Sequence, residues 1–332
     1  MVATSIYSSV DIYKPEIWAM ESLQILFENI GLRGKVKLDF RNEIASEGDT
    51  INTRIPDIMV AAPVGAAGAV TSVRKPKAEN IQIILNKNEE ITFELRDRDA
   101  TVAMKDLRDE FMVPAVLGLI RAIEDDGIAK MSDETNGFGD STNSNVIEIG
   151  DSSDLPLAFH ILAIAEAAKL LHTQKVPLGD RHCVIGPQQQ YDMLTDTANT
   201  NLLLLKSNES QDGSALREGQ IGRLFGFDVT MQQSVATVAA TTVASGYPTA
   251  GDAQRALFFH RNSSAYVNRM MDSPGPGEGV NATVQSFMGQ AIRIMIGYQL
   301  EAKRRVLSLD ALWGWKIMRK EMGGSILSRA TN

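Results

Sequence analysis

The sequence predicts a mixed α+β protein with an extended arm near its start and one long helix after that arm. Within residues 35–96, several segments alternate polar and apolar side chains with a period of two, which is typical of half-buried strands. Residues 99–131 place apolar side chains at helical spacing. The rest of the chain mixes short helical segments with strand-like runs, which favours an α+β class over a purely helical or purely β one.

Length and composition exclude several classes of protein. The 332 residues correspond on average to about two domains and suffice for a substantial core. Hydrophobic residues make up 44% of the chain and charged residues 22%, so a wholly disordered protein is excluded. The net charge of −8 argues against a protein that holds nucleic acid mainly through phosphate contacts. A single cysteine excludes an intramolecular disulfide.

The first predicted elements are a short helix and the beginning of the arm. The helix spans 14–30, with Pro15 in its first turn and Gly31 and Gly34 at its end. The run at 35–41 alternates without interruption and is predicted as a half-buried strand.

The arm continues as extended chain around a tip of small residues. Strands are predicted at 51–55 and 81–85, and 86–89 is predicted to turn the chain back into a return strand at 91–95. The Ala- and Gly-rich stretch 61–69 forms the tip. Such an arm has little core of its own, so we expect it to need a partner surface.

The long helix is predicted to begin with Asp99 or Thr101 as its cap. Pro114 lies in its interior and predicts a kink or a break, because proline removes one backbone hydrogen bond and clashes with the preceding turn. A polar linker at 137–145 follows the helix and leads to a short strand at 146–149.

A second unit is predicted to start near Asp151. Its first helix begins at 153 or 154 and ends at 172, with Pro156 in the first turn. Further strands are predicted at 181–186, 227–232, 256–259, 264–269, 290–297, 306–312 and 315–318, a helix at 187–194, and loops at 199–214, 219–226, 237–251 and 273–279.

No arrangement of residues predicts catalysis or metal binding. The four histidines, at 160, 172, 182 and 260, lack the spacing of a zinc site. Cys183 is interpreted as a buried structural cysteine, since strand alternation separates it from His182. The Gly-rich run 275–279 lacks the Gly-Lys-Ser/Thr of a phosphate loop. We therefore predict no catalytic, metal-binding or cofactor-binding residue and no cofactor.

The tail of the chain is basic. From Arg293 onward eight Lys and Arg residues face three acids, and three of the bases are consecutive at 303–305. This pattern fits a solvated turn or salt bridges between subunits. A nucleic-acid patch is the less favoured alternative, because no aromatic residues are interleaved with the charges.

The order of these segments resembles the major capsid (coat) protein of tailed bacteriophages, which has the HK97 fold. The region 35–96 resembles the E-loop of that family, and 99–131 resembles its spine helix. Residues 176–187 resemble the strand and helix that open the A domain, and 256–269 the next pair of strands. The most specific stretch is 216–229, where Gly219, Gly222 and Gly226 match a Gly-x-x-Gly-x-x-x-Gly pattern. We interpret these glycines as turn residues, required by positive φ or close backbone approach.

The resemblance implies an α+β, HK97-like capsid fold with an N-arm, an E-loop β-hairpin, a long spine helix, an A domain and a P domain. It divides the chain into an N-terminal arm at 1–34, an extended E-loop region at 35–96, the spine helix and P domain at 97–150, the A domain at 151–272, and strands at 273–332 that return between the A and P domains.

The resemblance also implies a non-enzymatic function. Copies of the chain would assemble as hexamers and pentamers into an icosahedral shell around double-stranded DNA, with no membrane involved. Other expected partners are a scaffolding protein, a portal, a decoration protein and the packaged DNA, which would be contacted non-specifically. The expected location is the virion, and the host cytoplasm during assembly.

The charged residues expected at contacts between subunits lie in the arm and in the basic tail; they are Arg54, Asp57, Lys75, Lys77, Arg304 and Arg305. No covalent cross-linking site is predicted. The acidic net charge fits either a lumen that repels packaged DNA or ordinary solubility. Two alternatives stay open: the shell of an encapsulin-like bacterial compartment, and an α+β enzyme of unknown type.

Overall fold

A computed structural model of the chain describes residues 31–38, 50–56, 78–96, 107–139, 145–149, 158–195, 222–235, 237–238, 253–274, 280–287 and 290–329. The predicted helix at 14–30, the tip at 61–69 and the loop at 199–214 lie outside the described residues.

Helices form a small part of the described chain. They are α1 (Leu107–Ser132), α2 (Ile161–Thr173) and α3 (Pro187–Thr195), and none is long and apolar enough to cross a bilayer. The strands are β1 (Thr50–Pro56), β2 (Ala78–Ile84), β3 (Lys87–Arg96), β4 (Val146–Glu148), β5 (Arg181–Ile185), β6 (Gly222–Leu224), β7 (Phe227–Met231), β8 (Thr237–Val238), β9 (Ala253–His260), β10 (Ser264–Arg269), β11 (Val280–Phe287), β12 (Gln290–Gln299), β13 (Arg304–Ile317) and β14 (Gly323–Arg329).

The strands form one hairpin and two larger sheets. The hairpin pairs β1 with β2. In the five-stranded sheet one edge of β13 pairs with β12 along its first part and with β10 along its last part, and β11 pairs with the far edge of β12. The other edge of β13 pairs with β3. The seven-stranded sheet has the order β4-β14-β9-β5-β7-β6, with β8 also paired to β9.

The seven-stranded sheet is covered on both faces. Successive side chains of β9 point to opposite faces and pack against different elements. Leu257 and Phe259 join the cluster that holds α1 and the five-stranded sheet, whereas Ala256 and Phe258 join the cluster that holds α2 and α3. Helix α1 thus packs between the two sheets, which explains why this strand is buried along its whole length. A strand buried on both faces reads as a continuous apolar run, as residues 256–259 do.

The arm does not fold as the sequence predicted. Strand β3 does not return against β2; it pairs with β13, so that Glu90 lies opposite Asp310, and β2 pairs with β1 instead. The predicted turn at 86–89 is wrong because Lys87 already belongs to β3. The predicted strand at 35–41 is wrong at its start, where Arg33–Lys35 forms a 3-10 turn.

Two predictions further along the chain are also wrong. Residues 158–160 are extended, so the helix predicted from 153 or 154 to 172 begins instead at Ile161. The reason is that Phe159 is fully buried and its N–H donates to the carboxylate of Asp192 at 3.0 Å. The runs at 306–312 and 315–318 are a single strand, β13, and strands β11 and β14 were not predicted. Strands β6 and β8 lie inside the predicted loops 219–226 and 237–251.

Candidate functional site

The β1–β2 hairpin is attached to the body of the protein at one end. There Ile51 and Ile83 are buried against Ala265 and Val267 of β10. Away from this hairpin base the strands are open to solvent, as the exposed Arg54 of β1 indicates. A two-stranded hairpin with so little burial is marginal by itself, so it favours a role in contacting other chains.

A glycine in β13 allows the hairpin to come close. A Cβ atom at Gly314 would lie 2.3 Å from the backbone oxygen of Ile84 and 3.3 Å from the Cα of Leu85. These are backbone atoms, which cannot rotate away as the end of a side chain can. The hairpin base therefore lies directly on the backbone of the five-stranded sheet.

Residues 31–38, which we call the anchor segment, are held between α1 and the two sheets. Leu32 and Val36 are fully buried in the cluster around α1. The Glu124 carboxylate of α1 accepts the N–H of Gly31 at 2.7 Å and the N–H of Leu32 at 3.2 Å. These contacts fix the point at which the chain enters the described fold.

The other end of the anchor segment bonds to both sheets. The Lys37 N–H donates to the Ser264 carbonyl at 3.1 Å, and the Lys37 carbonyl accepts from the Tyr266 N–H at 3.2 Å. The Lys35 ammonium donates to Thr230 Oγ1 of β7 at 2.6 Å. Burial lowers the pKa of Lys35, although the negative charge of Glu124 opposes this shift.

The last turn of α1 is fixed to the seven-stranded sheet by a buried arginine. Arg255 Nη1 donates to the carbonyl of Ser132 at 2.8 Å, and Nη2 pairs with Glu134 at 2.9 Å. Just beyond, Phe138 is fully buried and stacks on Phe259 with ring centres 6.2 Å apart. The predicted polar linker at 137–145 therefore begins with a core residue.

The residues predicted at subunit contacts are not brought together. Arg54 lies on the hairpin, whereas Arg304 lies at the start of β13, where it pairs with Glu94 of β3 and donates to Gln299 at 2.7 Å. Arg305 is half-buried in the same sheet. Gly314, where the hairpin base meets β13, is ten residues from Arg304 on the same strand, so Arg304 lies about 33 Å from the hairpin base. Asp57, Lys75 and Lys77 lie outside the described residues, and the contacts between copies stay predictions.

The turn glycines and the helix proline have defined conformations. Gly222 has a φ of +74° and Gly226 a φ of +86°, a region that favours glycine, while Gly219 lies outside the described residues. Helix α1 continues across Pro114, which is exposed, so the chain does not break there. The kink at Pro114 stays a prediction.

The described residues contain little that could perform acid–base or nucleophilic chemistry. Cys183 is fully buried among the residues that pack under α2 and α3, and burial raises the pKa of its thiol to about 12. The thiol therefore stays protonated at neutral pH. Within the described ranges, His, Cys, Asp and Glu form no group of three or more that could hold a metal ion.

Comparison with solved structures identifies the fold. A structure from Mycobacterium phage Che8 matches with 17% identity and a TM-score of 0.59, covering 88% of this chain and 89% of that chain. The capsid of Ralstonia phage GP4 matches with 13% identity and a TM-score of 0.60, covering 86% and 85%. The capsid structure of cyanophage P-SCSP1u matches with 16% identity and a TM-score of 0.59, also covering 86% and 85%.

No protein-family model matches the sequence, and no match is found among curated proteins. The structural matches extend over most of both chains, and several are capsid structures of bacteriophages. The predicted α+β, HK97-like capsid fold is confirmed.

Proposed function

We propose that this chain is a major capsid protein that assembles through hexamers and pentamers into an icosahedral shell around the double-stranded DNA of a tailed phage. The observation that carries the proposal is the extent of the structural match: 85% or more of this chain and of each compared capsid chain is covered. A match over most of both chains relates the architecture as a whole, rather than one module, to shell proteins.

The geometry of the described residues supports assembly. Among its described residues the hairpin packs on the body at its base, and its exposed strands would gain stability by packing on a neighbouring copy. Repeated contacts of one surface with a different surface of the next copy generate rings, and rings can close into shells. The proposal includes the division of the chain into an N-terminal arm, an E-loop, a spine helix, an A domain and a P domain. It also includes a non-enzymatic role. The proposed partners are a scaffolding protein, a portal and a decoration protein.

The test of this proposal is the assembly state of the purified full-length chain, with a scaffolding partner co-expressed if the chain alone does not assemble. We expect a fast-sedimenting fraction that contains rings or closed uniform particles in negative-stain images. DNA inside such particles, measured as nuclease-resistant nucleic acid from infected cells, would distinguish a phage shell from a protein compartment. A discrete monomer or dimer under all these conditions would contradict the proposal.

The hairpin can be shortened without changing its register. Pro56 pairs with Ala78, so deletion of residues 61–77 leaves four residues, 57–60, to connect β1 to β2. A connection of four residues is common in hairpins. We expect the shortened chain to fold and to form rings or capsomers, but not closed particles, because its reach to neighbouring copies is lost. Normal closed particles from this variant would show that the hairpin end has no role in closure.

A further inference from the structure

A partly buried histidine faces the anchor segment. His182 projects from β5 on the side opposite Cys183. Its side chain is 14% exposed, and its ring lies 6.0 Å from the ring of Phe259. Among the described residues its Nδ1 has no hydrogen-bond partner, although Asp228 Oδ2 lies 3.9 Å away. Such a site accepts a neutral imidazole more readily than a charged one.

The charges around His182 come from four parts of the fold: Lys35 of the anchor segment, Asp228 of β7, Asp180 before β5 and Arg261 after β9. Burial lowers the pKa of His182 most, and the positive charge of Lys35 lowers it further. Asp228 opposes this shift, but it is half-exposed to water and lies 3.7 Å from Arg223, which shares its charge. A protonated His182 would therefore add a second cation beside the partly buried Lys35.

We propose that protonation of His182 releases the anchor segment from both sheets, which makes the attachment of residues 31–38 sensitive to acid. Strand β5 cannot move aside, because it is paired with β7 on one edge and with β9 on the other. The anchor segment has no such ladder; apart from the turn bonds within it, its backbone is held by Glu124, Ser264 and Tyr266. Release of the anchor segment would let water reach the Lys35 ammonium and the protonated His182.

The direction of the pH dependence follows from the pKa. Burial holds the pKa of His182 below the value of about 6.5 that an exposed histidine has. The released form therefore binds the proton first as the pH falls through this value, and attachment weakens. Attachment is fully retained above pH 6.5 and is progressively lost below it. Between pH 7.5 and pH 5.5 one such group can raise the population of the released form by about tenfold.

The experiment is hydrogen exchange of the full-length chain at pH 7.5 and pH 5.5, corrected for the intrinsic effect of pH on exchange. The reporter is the Lys37 amide, which donates to Ser264. We expect its protection to fall in the wild type, by at most about tenfold, and amides of β5 and β9 to keep theirs. His182→Gln cannot be charged and should abolish this fall. His172→Gln, at an exposed position on α2, is the matched control and should retain it.

A second variant keeps the proposal testable if His182→Gln folds poorly. Lys35→Met removes the neighbouring cation and should make the pH response smaller than in the wild type, while burial, the larger cause, maintains part of it. An unchanged Lys37 amide in the wild type, the same fall in His182→Gln, or equal loosening of β5 and β9 would overturn the proposal. Because the readout is local to the chain, it does not depend on whether the proposed shell forms.

Discussion

Replacement of Gly314 by alanine should destabilise the protein by about 3 kcal/mol and detach the hairpin. The new methyl group would lie 2.3 Å from the backbone oxygen of Ile84, and a real Cβ contact of this kind does not occur. Overpacking in a rigid site typically costs 1–3 kcal/mol, and here the obstacle is the backbone of Ile84 and Leu85, so we expect the upper end of that range. Thermal unfolding monitored by circular dichroism measures the loss.

Gly179→Ala is the matched control for this variant. The substitution is chemically identical, but a Cβ at Gly179 would meet nothing within 4 Å. We expect its stability to stay within about 0.5 kcal/mol of the wild type. We also expect Gly314→Ala to lose closed particles while Gly179→Ala keeps them. Equal melting temperatures of the two variants would show that the hairpin does not press on Gly314.

The importance of Gly314 was not visible in the sequence. It lies between Trp313 and Trp315, and a glycine there reads as an interruption, which is why 306–312 and 315–318 were predicted as separate strands. In the fold it continues the ladder opposite Val267 of β10. The position of Gly314 inside a strand pattern could have indicated its role, because such a glycine often marks the close approach of another backbone.

The positions of strands with a clear period were predicted well. The pairing of strands with one another was not. Strands β5, β7, β9 and β10 and helix α3 lie where alternation, apolar runs and Pro187 placed them. The pairing of β3 with β13 joins residues about two hundred positions apart, such as Glu90 and Asp310. Local periodicity carries no information on such a distant register. The prediction that β3 pairs with β2, its neighbour in sequence, was therefore natural but wrong.

Strand β14 was missed because its composition conceals it. It starts with Gly323 and Gly324, which as a pair usually indicate a loop. Both are required by close packing: a Cβ at Gly323 would lie 2.5 Å from the ring of Phe138, and one at Gly324 would lie 2.1 Å from the carbonyl oxygen of Asn145. The residues that explain these glycines are far away in sequence, so only the folded chain reveals the reason.

The anchor segment illustrates the same limit for the candidate site. Residues 35–41 alternate well, yet Lys35 belongs to a 3-10 turn and is partly buried, with its ammonium bonded to Thr230. Lysine is almost never predicted as a buried residue, because burial of its charge is costly. Here the negative charge of Glu124 compensates for part of the cost of burying the Lys35 charge. Glu124 lies 92 or more residues away in sequence from the anchor-segment amides whose hydrogen bonds it accepts. The order of segments was sufficient to predict the fold, but these charge contacts were not predictable.

Replacement of Arg293 by methionine should be the most damaging change to a single ion pair. Arg293 and Asp310 face each other across β12 and β13, with Nη2 and Oδ2 2.5 Å apart, and the side chain of Asp310 is only 4% exposed. Its Oδ1 has no hydrogen-bond partner among the described residues. Removing Arg293 would leave a buried carboxylate without its cation, which costs about 3–5 kcal/mol.

The pH dependence of this loss has a definite sign. Burial already raises the pKa of Asp310, and Arg293 opposes that shift. Without Arg293 the pKa rises further, so Asp310 binds a proton at low pH and the buried charge disappears. The difference in stability between Arg293→Met and wild type should therefore be smaller at pH 5 than at pH 8. The double variant Arg293→Met with Asp310→Leu should recover most of the loss at both pH values.

Arg304→Met is the matched control, because Arg304 also pairs across two strands of the same sheet. Its side chain and that of Glu94 are 36% and 37% exposed, and an exposed pair contributes about 1 kcal/mol at most. Urea unfolding of the three variants measures the contrast, and equal losses from Arg293→Met and Arg304→Met would contradict it. Since Arg304 is also a predicted contact between copies, a stable Arg304→Met chain that forms no closed particles would assign this residue to assembly rather than to folding.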